Sequence, residues 1–120
     1  MEKKILVADD EEHIVKMLES RLRANGYEVI AAYNGKQALE KAKREAPDLI
    51  LLDIMMPDID GLKVLHKLKY DFETMHIPVI MLTCKADSGS VFEAQDSKAA
   101  DYIIKPFKPN ELLKLIKRYI

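Results

Sequence analysis

Short apolar runs recur along this chain, each closed by polar residues and separated from the next by helical spacing. Residues 4–9, 48–53 and 78–83 are rich in Ile, Leu and Val, and shorter runs of the same kind cover 27–32 and 101–104. Runs this brief, bounded by turn formers, predict strands buried on both faces. Between them, residues 12–25 carry Ile14, Met17, Leu18 and Leu22 at helical spacing, and Gly26 suits the stop. Asn34-Gly35 leads into a helix with Ala38, Leu39 and Ala42, ended by Pro47. Asp60 is placed to cap a third helix carrying Leu62, Leu65 and Leu68. The fourth helical stretch is the poorest, opened by Ser88-Gly-Ser90 and closed by Ala99-Ala100, and a fifth starts at Pro109. Five strand-then-helix units predict a parallel sheet with helices on both faces.

What closes the runs carries the chemistry. Asp9 and Asp10 follow the first, Asp53 the third, Thr83 the fourth, and Lys105 follows the fifth, just before Pro106. In an open parallel sheet the carboxyl ends of all strands share one edge, and ligands bind there. Three carboxylates, a hydroxyl and an ammonium are therefore expected in one crevice. Crowded carboxylates repel and call for cations among them. Lys105 supplies one charge, and a hard divalent ion such as Mg2+ would supply the rest. Glu11 and Glu12 read as acids complementing a helix start. Pro57 and Gly61 read as turn residues. His13, His66 and His76 lack ligand spacing and read as surface residues.

Composition narrows the picture further. The chain has 120 residues, enough for one core, so 1–120 is expected to be a single domain. A net charge of -1 offers no electrostatic reason for direct nucleic-acid or anionic-membrane binding. No apolar run has the length of a membrane span, and Met1-Glu-Lys-Lys leads straight into a strand without the form of a signal peptide. The single Cys84 has no internal disulfide partner and fits a reducing cytoplasm.

The set Asp9-Asp10, Asp53, Thr83 and Lys105-Pro106, in that order, resembles the receiver domain of two-component response regulators. The resemblance runs from Lys4 to Tyr119 and is most specific in Asp53-Ile-Met-Met-Pro57-Asp-Ile-Asp-Gly61, with Val7-Ala-Asp-Asp10 and Lys105-Pro-Phe107 in support. It implies a flavodoxin-like doubly wound (βα)5 fold in the strand order 2-1-3-4-5. It implies that Asp53 accepts a phosphoryl group from a phosphohistidine on a sensor histidine kinase or histidine phosphotransfer protein. Asp10, Asp53 and the backbone carbonyl of Met55 would bind Mg2+, or Mn2+ in its place, with Asp9 acting through a metal-bound water. Lys105, preceding a cis bond to Pro106, would pair with the phosphoryl oxygens, and Thr83 would donate a hydrogen bond to them. Tyr102 would turn inward as Thr83 moves, altering a face built by the fourth helix, fifth strand and fifth helix and read by a downstream protein. Met55 and Lys85 would tune hydrolysis of the phosphorylated state. Catalysis would be confined to the domain's own phosphorylation and dephosphorylation, with no effector domain, in a cytoplasmic monomer.

Some positions depart from the family pattern. Ala99-Ala100 stands where Gly-Ala is common, Lys108 is a poor helix cap, and Leu115 occupies a place where winged-helix members carry arginine. The last change puts that subfamily's dimer in doubt. An alternative is an Mg2+-dependent aspartyl-phosphate phosphatase of haloacid-dehalogenase type. That class requires Asp-x-Asp after the first strand, where this chain has Asp-Asp. A flavin-binding electron carrier would need a Ser/Thr/Gly-rich phosphate loop there, and the chain has Asp-Asp-Glu-Glu.

Overall fold

A computed structural model describes residues 2–84 and 98–120. The strands are β1 (Lys4–Ala8), β2 (Glu28–Ala32), β3 (Leu49–Asp53), β4 (Val79–Cys84) and β5 (Asp101–Lys105). They form one wholly parallel sheet in the order β2-β1-β3-β4-β5. The helices among the described residues are α1 (Glu12–Ala24), α2 (Gly35–Glu45), α3 (Gly61–Lys69) and, after β5, α4 (Pro109–Lys117). The weak helix expected between Ser88 and Ala100 falls almost wholly outside the described residues.

The expected doubly wound architecture is present, and alternation along the central strands explains its two cores. Leu6, Ile50, Leu52 and Met81 face α2 and α3 with Ala38, Ala42, Leu65 and Leu68. Their neighbours Ile5, Val7, Leu51, Ile80 and Leu82 face the other way, onto Val15, Leu18 and Leu22 of α1 and Leu112 and Ile116 of α4. All five residues of β3 are buried, as a central parallel strand covered on both faces requires. On α1 the buried stripe is Val15, Leu18 and Leu22. Ile14 and Met17 lie half-buried at its edge, because the stripe a helix buries is narrower than the apolar pattern that marks it.

The helix boundaries follow from local chemistry. Gly26, at φ 86°, follows α1 in the left-handed region that suits glycine. The side chain of Asn34 caps α2 by accepting from Gln37 N–H, and Asp60 caps α3 by accepting from Lys63 N–H. Lys108 makes no side-chain cap, and Pro109 opens α4 instead.

One connection was invisible in the sequence. The carboxylate of Asp58 accepts the Gly35 N–H at 2.8 Å and the Lys36 N–H at 3.0 Å. It thereby fastens the loop after β3 to the start of α2, satisfying donors that no helical carbonyl reaches. These bonds hold its carboxyl below the usual carboxylate range. A group with a lowered folded pKa stabilises above its unfolded value and stops doing so as pH falls through the folded one. Asp58→Ala is therefore expected to lower the melting temperature at pH 7, with the deficit fading in acid. Thermal melts of both proteins at pH 7 and pH 3 check this, and an equal deficit at both would refute it.

Candidate functional site

The site forms where β1, β3 and β5 end. Asp53 is the last residue of β3, Asp9 and Asp10 follow β1 directly, and Lys105 is the last residue of β5. Parallel pairing places these ends on one edge. Carboxylate oxygens of Asp9, Asp10 and Asp53 lie within 4.8 Å of one another. The cleft beside them, about 250 Å³, is lined by Asp10, Glu11, Asp53, Met55, Cys84 and Lys105.

Lys105 holds this cluster together. Its ammonium donates to Asp9 Oδ2 at 2.6 Å and lies 3.5 Å from Asp53 Oδ1 and 3.7 Å from Glu11 Oε1. Asp9 is fully buried, and its other oxygen accepts the Glu11 N–H at 2.9 Å. The strongest contact of Lys105 is thus with Asp9, the carboxylate least accessible to solvent. Burial pulls the Lys105 ammonium down, but the Asp9 hydrogen bond and the charges of Asp53, Asp9 and Glu11 outweigh it and leave its pKa raised. Asp53, 5% exposed, behaves in the opposite sense to a paired carboxylate. Burial first, and then the charge of Asp9, push its pKa up to about 7 against the opposing pull of Lys105 and the Met55 N–H. Three carboxylates sharing one ammonium leave an excess of negative charge, and oxygen donors so grouped suit a hard divalent cation.

The remaining expected residues lie around this centre. Thr83 sits one residue beyond Leu82, the β4 partner of Asp53. It is buried, and its hydroxyl donates to the Cys84 carbonyl at 3.3 Å. Cys84 belongs to β4 and lines the cleft. Met55 is 62% exposed at the rim. The Lys105–Pro106 peptide is cis. Tyr102 is half-buried against the core that covers α2 and α3. Lys85 lies outside the described residues, as does most of the stretch expected to hold the fourth helix of the output face.

Two residues do more than the sequence reading assigned them. Gly61 reads as a turn residue, but a β-carbon built on it would overlap the Asp53 carbonyl oxygen and stand 2.7 Å from Ile54 Cα. Its N–H donates to the Ile54 carbonyl at 2.7 Å. Glycine is thus required by close packing of α3 against the end of β3. Glu11, read as a helix-start acid, makes no side-chain cap. Its carboxylate points to Lys105 and to His13 Nε2, 3.5 Å away.

Residues 5–117 match the response regulator receiver domain. The chain belongs to that family. The receiver is 44% identical over 117 residues to the alkaline phosphatase synthesis transcriptional regulatory protein PhoP of Bacillus subtilis, a match covering 98% of this chain and 48% of PhoP. It thus spans about half the length of that relative. Among solved structures, the chemotaxis response regulator CheY4 of Vibrio cholerae superposes with a TM-score of 0.93 at 31% identity, covering all of both chains. The receiver domain of sensor histidine kinase PA1611 from Pseudomonas aeruginosa, with a magnesium ion coordinated in its active-site cleft, superposes at 0.91. It is 30% identical, over 99% of this chain and 98% of that one. The family and the strand order agree with the resemblance drawn from the sequence. The dehalogenase-type alternative finds no support, since the isolated aspartate closes β3 rather than β1. This is a receiver domain of two-component phosphorelay signalling.

Proposed function

We propose that this receiver accepts a phosphoryl group on Asp53 from a phosphohistidine of a sensor histidine kinase or phosphotransfer protein. The observation carrying this reading is Asp53 at the cleft floor, with Lys105 Nζ 3.5 Å from its Oδ1. An Asp53 oxygen forms the new bond to phosphorus as the bond to the donor nitrogen breaks. The imidazole, already protonated on its other ring nitrogen, leaves as the neutral ring with the bonding electron pair. A carboxylate is a poor nucleophile, so positioning and charge neutralisation make the main contributions.

The donor set fits a divalent cation. Asp10, Asp53 and the Met55 carbonyl would hold Mg2+, and Asp9 would act on it through water. When bound, the ion adds positive charge beside the transferring group. Lys105 passes from the carboxylates to the phosphoryl oxygens as a point charge. Thr83 turns its hydroxyl from the Cys84 carbonyl to the same group, and Tyr102 follows to alter the β5–α4 face read by a downstream protein. Met55 and Lys85 offer incoming water no base at neutral pH, which favours a long-lived phosphorylated state. The receiver acts only on itself, as a cytoplasmic monomer.

Two experiments bear on this reading. Acetyl phosphate with Mg2+ is expected to add one phosphoryl group, seen by intact mass, and Asp53→Ala to abolish it; undiminished labelling of the variant would exclude Asp53. Mg2+ is expected to raise the melting temperature, because a ligand bound only by the folded state stabilises it. Asp10→Asn should reduce that rise, and an equal rise in both proteins would remove Asp10 from the ligands.

A further inference from the structure

We infer that Glu11 is a positioning residue for phosphoryl transfer. It holds the Lys105 ammonium towards the cleft mouth and competes with the incoming phosphoryl group for it. The inference rests on Asp53 being the acceptor, and it names a residue that this reading leaves unused.

The geometry separates Glu11 from an ordinary helix-start acid. It occupies the N-cap of α1, yet its side chain caps nothing. Its Oε1 lies 3.7 Å from Lys105 Nζ, close to the 3.5 Å that separates Nζ from Asp53. Asp9 holds the same ammonium at 2.6 Å and bonds the Glu11 N–H through its other oxygen. The lysine is therefore shared between two partners inside the site and one at its rim. Glu11 also lines both the phosphorylation cleft and the adjoining apolar groove, about 420 Å³, formed with Ile14, Met17, Pro106 and Phe107.

Charge decides the direction of the effect. A phosphoryl group reaching Asp53 needs Lys105 to leave its carboxylate partners. Asp9 is fully buried, whereas Glu11 is part-exposed and its charge is partly screened by water. Each partner lowers the gain from moving the ammonium onto phosphate oxygens. Removing the Glu11 charge while keeping its shape should ease that transfer. An ion pair of this exposure carries up to about 1 kcal/mol, or about a fivefold rate change.

The test is a double-substitution cycle read as the initial rate of phosphorylation by acetyl phosphate at saturating Mg2+, followed by intact mass. Glu11→Gln should label roughly two- to fivefold faster than the wild type. Glu11→Asp retains the charge and should stay near the wild-type rate. In a Lys105→Met background, slower overall, the gain from Glu11→Gln should vanish, because the competition it relieves is for Lys105. Equal rates for Glu11→Gln and wild type would overturn the inference. So would an undiminished gain without Lys105, since Glu11 would then act as a general repulsive charge. Absence of wild-type labelling would instead remove the reading of Asp53 on which the inference stands.

Discussion

Replacing Asp53 by asparagine is expected to stabilise the metal-free receiver strongly at pH 8 and much less at pH 4. Burial and the Asp9 charge push the Asp53 carboxyl up to about 7, against about 4 in an unfolded chain. Between those values the unfolded chain has already released a proton that the folded chain keeps. Stability is therefore fully present below the unfolded value and is lost as pH rises towards the folded one. The loss is on the order of 4 kcal/mol once both states are ionised. Asparagine keeps the shape, carries no charge and removes the dependence. Urea unfolding in the presence of a chelator, at pH 4 and pH 8, gives the difference between the two proteins. A gap independent of pH would contradict the account. Adding Mg2+ at pH 8 should narrow the gap, because the wild-type charge then has a counterion.

Gly61→Ala is expected to be the most damaging single-methyl change near the site. The added carbon would overlap the Asp53 carbonyl oxygen and crowd Ile54 Cα. Both obstacles are backbone, so no side chain can swing aside. Either α3 retreats from β3, losing packing by Val64, Leu65 and Leu68, or the end of β3 moves. Overpacking of this kind costs about 3 kcal/mol or more, a fall of roughly 10 °C in melting temperature for a domain of this size. The phosphorylation rate should fall too, since the carbonyl in question belongs to the acceptor. A melting temperature within about 2 °C of wild type would show that the contact relaxes freely.

The central strands β1, β3 and β4 were legible because they are covered on both faces, which leaves unbroken apolar runs typical of a parallel core, whereas the edge strand β5, expected to be buried as well, has no fully buried residue. The site was legible for the same reason: Asp9, Asp53, Thr83 and Lys105 are polar where such runs stop. Placement at strand ends does not reveal which partners a side chain chooses. Lys105 bonds most closely with Asp9, from which 96 positions separate it, and periodicity has nothing to say about that. Asp58 reaches 23 residues back to Gly35, and Gly61 is shaped by a strand end, not by its own turn. Glu11 looked like a dipole-complementing acid because its sequence neighbours supply that explanation, while Lys105 lies far along the chain. Local chemistry was readable for the cap at Asp60, whose partner is three residues away.

The tie between Asp58 and α2 makes the loop that follows the acceptor part of a neighbouring helix's amino terminus. Two amide protons at Gly35 and Lys36 owe their protection to a carboxylate five residues beyond Asp53. Any rearrangement that draws that loop towards a phosphoryl group must either carry α2 along or release those amides to solvent. A helix with no part in the chemistry thus holds a record of what happens at the acceptor, written in how fast its first turn exchanges hydrogen.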